Sequence, residues 1–317
     1  MHISTSGAAT SYKVVAESIC RHLGVSCKIT EHGHNMFGNV DIFITHQADL
    51  ITYRTVAMRS KVVYITAEGR YVSSRDLETA RSICRSRRCV VTTHFGRAIF
   101  EEMGIPVQDV VYHPLPYADR ELVEYLRGVN RAFQVVYLNA KYRLNPSNEQ
   151  CERKGWRFWP HVYKSFLAIG FISGDKEEDH AISIKTRNTE EIYKLLALGS
   201  VYANLSTQEG FGINPPMALY VGTKVVAWDT NVVNETLRGI EGVYFVPVRY
   251  HVDCTIPSML FAFQGMGAFT LRLMWGDIED FIQTVKYALA TATTVDYAEV
   301  ENRFGPHLAH KFAEMLR

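Results

Sequence analysis

The chain has 317 residues, and its 47% hydrophobic content is ample for the cores of two domains of ordinary size. A formal net charge of +1 excludes the basic surplus of a general nucleic-acid binder and gives no reason to expect a polyanionic partner. No apolar run approaches a membrane span, and Met1-His2-Ile3-Ser4 lacks the basic and apolar regions of a secretory signal, so a soluble, cytoplasmic protein is expected.

In chain order, a strand at His2-Ile3 passes through a turn at Gly7 into a helix over residues 12–23, the opening of a doubly wound sheet. Short β-branched runs at 41–45, 62–66, 90–93 and 110–113 predict buried parallel strands. Helical stretches at 49–59, 75–85 and 96–103 alternate with them, and Gly104-Ile105-Pro106 stops the last. Ligands of open α/β sheets bind beyond the carboxyl ends of the strands. His46 and Glu68 fall at two such ends and are candidates to face a ligand, although a polar strand-end residue is as ordinary a reading of either. His32 and His34 form H-G-H, which without a third nearby ligand reads as a solvated loop and not a metal site.

A polar, helical segment at 117–131 separates two halves, with the boundary set at 1–125 and 126–317. The second half predicts a strand at 133–138, a helix at 156–168, a strand at 181–185, a helix at 189–198 with Thr189 as N-cap, and strands at 201–205, 224–228 and 243–246. Residues 278–316 predict two amphipathic helices. The six cysteines form no C-x-x-C pair, so no zinc site is expected. Cys84 and Cys89 could bridge, with free thiols as the default.

The most informative stretch is 206–235, STQEGFGINPPMALYVGTKVVAWDTNVVNE. Glu209 opens a glycine-flanked turn, Gly210-Phe211-Gly212, and Pro215-Pro216 leads an apolar helical run that Gly222 ends. A glycine-rich turn feeding a helix start offers free N–H groups and a positive dipole end to a phosphate. The carboxylate ahead of the turn suits a hydroxyl-rich neighbour such as a sugar. This segment resembles the nucleotide-sugar-binding segment of retaining GT-B glycosyltransferases of the large family 4 type. Glu209, Gly210, Phe211, Gly212, Pro215, Pro216, Ala218, Gly222, Thr223, Val225, Val226 and Glu235 fit its register. Met217 stands where the family has a second Glu, and Lys224 where Pro is usual.

The resemblance implies an α/β protein of GT-B type, two Rossmann-like domains facing a cleft, with the last helix crossing back to the first domain. It implies that Glu209 contacts the transferred sugar and that Lys154, in Arg153-Lys154-Gly155, contacts the donor diphosphate. A second cation, Lys141 or Arg143, would stand beside it. Gly7, Gly210, Phe211, Gly212 and Met217 would line the donor, and His46 and Glu68 would lie on the acceptor side, Glu68 where a His is often found. As negative charge grows on a leaving diphosphate, fixed cations stabilise the transition state more than the ground state. The alternative for Lys154 is a basic surface loop that also holds Arg153 and Arg157. Trp156-Arg157-Phe158-Trp159 is read as a packed helix start, with a membrane-peripheral or lipid-acceptor contact as the alternative.

The expected function is therefore transfer of a sugar from a nucleotide-sugar donor to an unidentified glycan, lipid or protein acceptor, with retention of configuration. No metal or other cofactor is expected, since no clear D-x-D motif is present. The acceptor's proton would pass to the leaving diphosphate. A non-catalytic sugar- or nucleotide-binding relative, and a hydrolase or epimerase of sugar nucleotides, are the alternatives.

Overall fold

Near-continuous apolar strands, with hydrophobic residues on both sides, need cover on both faces, and two parallel sheets flanked by helices provide it. The computed structural model describes residues 1–6, 10–31, 38–140, 151–173, 180–184, 188–256 and 269–317. Gly7, His32, His34, Lys141 and Arg143 lie outside the described residues. The chain divides into two compact units: residues 1–117, 253–272 and 304–317, and residues 118–252 and 273–303.

The first unit begins with β1 (His2–Thr5), α1 (Thr10–Leu23), β2 (Lys28–Glu31), β3 (Val40–His46), α2 (Gln47–Thr52), α3 (Arg54–Arg59) and β4 (Ser60–Thr66). It continues through β5 (Arg70–Tyr71), α4 (Ser74–Ser86), β6 (Arg88–Val91), α5 (His94–Glu102) and β7 (Asp109–Val110). Six strands form a parallel sheet of order β2-β1-β3-β4-β6-β7. Its core includes Phe43, Val63, Ile65, Ile83, Val91 and Phe100, all fully buried. The helix expected over 49–59 is two, broken at Tyr53, whose ring packs edge-on to Phe43. Ser73 and Thr93 cap α4 and α5 by accepting from Asp76 N and Gly96 N.

The second unit holds α6 (Arg120–Gly128), β8 (Phe133–Ala140), α7 (Trp159–Ser165), β9 (Ala168–Ser173), β10 (Ile182–Ile184), α8 (Thr189–Leu196) and β11 (Gly199–Asn204). Then come α9 (Asn214–Tyr220), β12 (Lys224–Trp228), α10 (Asn231–Leu237) and β13 (Val243–Val246). Its parallel sheet has the order β10-β9-β8-β11-β12-β13. The helix expected over 156–168 is shorter: a 3-10 turn, Trp156–Phe158, precedes α7, and the chain is already strand at Ala168. Gly170 permits that strand to run beneath Trp159, because a Cβ there would lie 2.7 Å from Trp159 Nε1. Asn188, not Thr189, caps α8: its backbone is extended and its side chain accepts from Glu190 N at 2.9 Å.

The rest is β14 (Tyr250–Ile256), β15 (Phe269–Trp275), α11 (Ile278–Ala290), α12 (Tyr297–Phe304) and α13 (His307–Met315). Phe269 and Thr270 pair antiparallel with Tyr71 and Arg70. Three helices replace the two expected over 278–316, because Gly305-Pro306 separates α12 from α13. In the first unit, α13 packs on α1, and Phe312 meets Tyr64 at 4.8 Å.

The free-thiol expectation is overturned. Cys20 and Cys27 bridge the end of α1 to the entry of β2, Cys84 and Cys89 bridge α4 to β6, and none of the six cysteines is a free thiol. The reason is local: each helix-to-strand turn brings its pair to a Cα separation, 6.1 and 5.3 Å, within disulfide reach. Among the described residues no helix is long and apolar enough to cross a membrane.

Candidate functional site

In the second unit the site grows from the carboxyl end of β11. Ala203 and Leu205 point into a core with Val135, Tyr137, Trp159 and Trp228. The following residues, Ser206, Thr207, Gln208 and Glu209, are polar and buried. Buried polar groups need partners, and the segment 152–155 supplies several. Thr207 N donates to Arg153 O at 2.8 Å, Thr207 Oγ1 donates to the same oxygen at 3.1 Å, and Arg153 Nε donates to Gln208 O at 3.0 Å. Gly155 brings the two segments into contact. Its φ is +72°, and a Cβ there would lie 1.9 Å from Leu205 O.

This zipper presents two cations to one carboxylate. Lys154 Nζ donates to Glu209 Oε1 at 2.6 Å, and Arg153 donates to Oε2 at 3.3 Å. Burial alone would push the Glu209 carboxyl up. The adjacent Lys154 and Arg153 charges, with hydrogen bonds from Lys154 and Ser206, outweigh it and hold the group below its ordinary value. Lys154 is itself fixed from behind: its N–H donates to Glu152 Oε1 at 2.6 Å, and its carbonyl accepts from Tyr137 OH at 2.8 Å. Burial pushes the Glu152 carboxyl up, against backbone N–H groups of Lys154, Arg157 and Trp156. Arg153 is the residue that sequence reasoning missed. In the sequence it reads only as part of a basic loop, and its adjacency to Lys154 is the available signal.

Beyond Glu209, Gly210 and Phe211 are buried and Gly212 takes a φ of +79° to turn the chain into α9. Asn214 ties that turn to β8 by donating to Leu138 O at 3.0 Å. Pro215 and Pro216 fall in the first turn of α9, so two of its N-terminal positions carry no N–H. The expected row of free helix donors is therefore reduced. Met217 is buried, 3% exposed, where it adds apolar surface and no charge.

In the first unit, His46 and Glu68 meet. His46 ends β3, Glu68 follows β4, and Nε2 lies 2.7 Å from Glu68 Oε1. His46 Nδ1 accepts from Ala48 N at 3.1 Å as the N-cap of α2. A ring nitrogen that accepts cannot carry the proton, so the neutral imidazole holds it on Nε2 and donates it to Glu68. Gln47, fully buried, fixes the turn. Its Oε1 accepts from Glu68 N at 2.7 Å and Gly69 N at 3.0 Å, and its Nε2 donates to Gly69 O at 2.8 Å.

The aromatic-basic patch is packing. Trp159 is fully buried, Phe158 lies edge-on to Trp228, and the Arg157 guanidinium sits 4.2 Å from the Trp275 ring centre.

No protein-family model matches this sequence, and no curated protein sequence does. Solved structures do match. HepE of Anabaena, in complex with UDP and glucose, is similar at a TM-score of 0.59 and 12% identity over 99% of this chain and 98% of that one. Sucrose-phosphate synthase of Thermosynechococcus elongatus is similar at 0.56 and 11% identity, over 100% and 94%. A glycosyltransferase of Rickettsia africae is similar at 0.53 and 12% identity, over 100% and 98%. At these identities the likeness shows the fold: two parallel-sheet domains of the GT-B glycosyltransferase type.

Proposed function

We propose that the protein is a glycosyltransferase that takes a sugar from a nucleotide-sugar donor, with a UDP-sugar as the first candidate, and passes it to a hydroxyl acceptor with retention of configuration. The observation that carries this reading is the Lys154–Glu209–Arg153 cluster at the carboxyl end of β11. Two partly buried cations on one buried carboxylate form a site where an incoming diphosphate can replace half of an existing ion pair. The complex of HepE with UDP and glucose supports the choice of donor.

In this reading the second unit holds the donor. The diphosphate takes over contacts of Lys154 and Arg153, and Glu209, released from them, accepts hydrogen bonds from the sugar hydroxyls. As the bond from the anomeric carbon to the diphosphate oxygen breaks, its electron pair stays with the diphosphate, and the two cations stabilise that growing charge. Arg153 offers a forked contact and Lys154 a point charge. The acceptor oxygen bonds to the anomeric carbon from the face the diphosphate leaves, and its proton passes to a diphosphate oxygen. No step requires a metal.

A thermal-shift screen of nucleotides and nucleotide sugars tests the donor site, since a ligand of the native state raises its melting temperature. UDP-sugars should shift it, and labelled sugar should then appear in product. Absence of any nucleotide shift would refute the reading. A shift without turnover would mark a binding protein, for which the apolar Met217 gives a rationale, and release of UDP without transfer would mark a hydrolase.

A further inference from the structure

The strands of a parallel sheet all start at one edge, so the turns that feed them gather there. In the first unit this amino edge lies opposite the one bearing His46 and Glu68. The register fixes its members. Lys28, first in β2, is level with His2 of β1, Val40 of β3 is level with Ser60 of β4, and Val62 is level with Arg88, first in β6.

The turn into β6 concentrates charge. Cys84 and Cys89 close the ring Cys84-Arg85-Ser86-Arg87-Arg88-Cys89, in which both cysteines are fully buried and the residues between them are all exposed. Gln108 braces the ring: its Oε1 accepts from Cys89 N at 2.6 Å and its Nε2 donates to Cys84 O at 3.4 Å. Arg81, one turn earlier, pairs with Glu78, yet Arg85, Arg87 and Arg88 have no carboxylate partner among the described residues. Asp109, which opens the neighbouring β7, turns its Oδ1 to Val110 N at 2.8 Å.

Charge continues along the edge. Lys28 is exposed, and Lys61, near the start of β4, is 58% exposed while it pairs with Asp41 at 2.8 Å. From β2 to β6 the sheet order places β1, β3 and β4 between them, a span of about 19 Å. The other short disulfide loop, Cys20–Cys27, closes at the same edge just ahead of β2 and leaves Val25 exposed. The formal net charge of +1 therefore conceals a one-sided excess.

Like charges this close repel, and ordinary surfaces intersperse the two signs. A braced run of one sign suits a partner that supplies the opposite charge over an area. Guanidinium groups match phosphate oxygens with two parallel N–H contacts. The cations follow a broad edge, with an apolar side chain three residues ahead of Lys28, and a phospholipid headgroup layer offers phosphates in that form. Single-stranded nucleic acid fits less well, because it binds on aromatic platforms. The exposed large aromatics, Tyr125, Tyr250 and Tyr287, all belong to the second unit.

We infer that the amino edge of the first unit's sheet docks on an anionic phospholipid surface. Arg85, Arg87 and Arg88 take lipid phosphates, Lys28 and Lys61 add attraction, and Val25 supplies an apolar contact. Docking of this kind leaves the carboxyl edge of the sheet clear of the lipid and does not depend on glycosyltransferase activity.

The test is co-sedimentation of the full chain with vesicles of phosphatidylcholine alone and of phosphatidylcholine mixed with phosphatidylglycerol. The mixed vesicles should retain the protein, the neutral ones should not, and added salt should release it. Arg85→Gln/Arg87→Gln/Arg88→Gln should weaken binding roughly a hundredfold, about fivefold for each arginine, with an unchanged melting temperature. Lys164→Gln/Lys194→Gln/Lys286→Gln removes the same charge from exposed positions of the second unit and should bind as the wild type does. Equal losses in the two variants would assign binding to overall charge and overturn the proposal. Indifference to phosphatidylglycerol would overturn it as well. So would binding to a duplex or single-stranded oligonucleotide, lost in the arginine variant, by a protein that no vesicle retains.

Discussion

Gly155 and Leu205 approach so closely that a Cβ on the glycine would lie 1.9 Å from the leucine carbonyl oxygen. The contact locks the segment bearing Arg153 and Lys154 against the end of β11, and both partners are backbone, so neither can yield cheaply. Gly155→Ala should cost ~1–3 kcal/mol from the left-handed backbone alone, with the collision added to it. Chemical denaturation of the variant checks this. A loss within about 0.5 kcal/mol of zero, the range of a neutral surface change, would mean that the segment relaxes freely.

Lys154→Ala removes the shorter of the two contacts to Glu209. If Lys154 stabilises the leaving diphosphate, transfer should slow by ~2–4 kcal/mol of barrier, with the fold retained. Native circular dichroism with undiminished turnover would take Lys154 out of the site. Glu209→Gln should retain UDP affinity and lose activity with the full donor, and equal losses for both ligands would argue against a sugar contact.

In the proposed donor site Met217 would present a thioether to the ribose hydroxyls, and a thioether is a weak acceptor. UDP and its 2′-deoxy form should therefore bind within about tenfold of each other, ~1.4 kcal/mol. Calorimetry of both decides it. A larger preference would assign the ribose to another residue.

Burial holds His113 near a pKa of about 3, against an ordinary 6.5, and the Tyr64 hydroxyl, which donates to Val111 O, can only accept from its Nδ1–H. The sign follows. Above 6.5 the ring is neutral in both states. As pH falls from 6.5 towards 3, only the unfolded chain gains this proton, so stability falls through that window. The cost is on the order of a few kcal/mol at the acid end. Ring resonances of His113 should stay fixed over that range until the protein unfolds. A midpoint near 6.5 in the native protein would show the ring to be solvated.

Reduction should destabilise the first unit. Each short loop closed by Cys20–Cys27 or Cys84–Cys89 stabilises by ~2 kcal/mol in the chain-entropy account. The double variant Cys84→Ser/Cys89→Ser should melt lower than the wild type under oxidising conditions and no lower under reducing ones. Equal melting of the oxidised and reduced wild type would refute the contribution.

The parallel strands were legible because buried β-branched runs such as Val-Val-Tyr-Ile in β4 have few other uses. Their helices followed from period and caps. Strand β9 was not legible: Ala168-Ile-Gly-Phe continues an apolar helical run, and only packing under Trp159 makes it a strand. Strands β14 and β15 alternate weakly, and the partner that pairs with β15 is just Arg70-Tyr71. At the site, Glu209 and Lys154 could be named from their motif, but 55 residues separate them and only the fold gives the distance. His46 and Glu68 were found by a rule about strand ends, which says nothing of which nitrogen carries the proton. The Cys84–Cys89 bridge could be named as an option but not decided, and Cys20–Cys27 was hidden because its spacing matches no metal or redox motif.

The assignment of residues 304–317 to the same compact unit as residues 1–117 bears on how the chain matures. Phe304, Leu308 and Phe312 are buried, and Phe312 packs on Tyr64 in the middle of the first sheet. Residues 1–117 of this unit are made before the other unit, yet the unit closes after the other, whose last residue is Arg303. On the ribosome the first-made sheet thus waits, one helical face uncovered, while the later-made unit completes itself. Chains arrested before residue 304 should show protease cuts within 1–117 and protection across 118–252 and 273–303, and the opposite pattern would reverse that order.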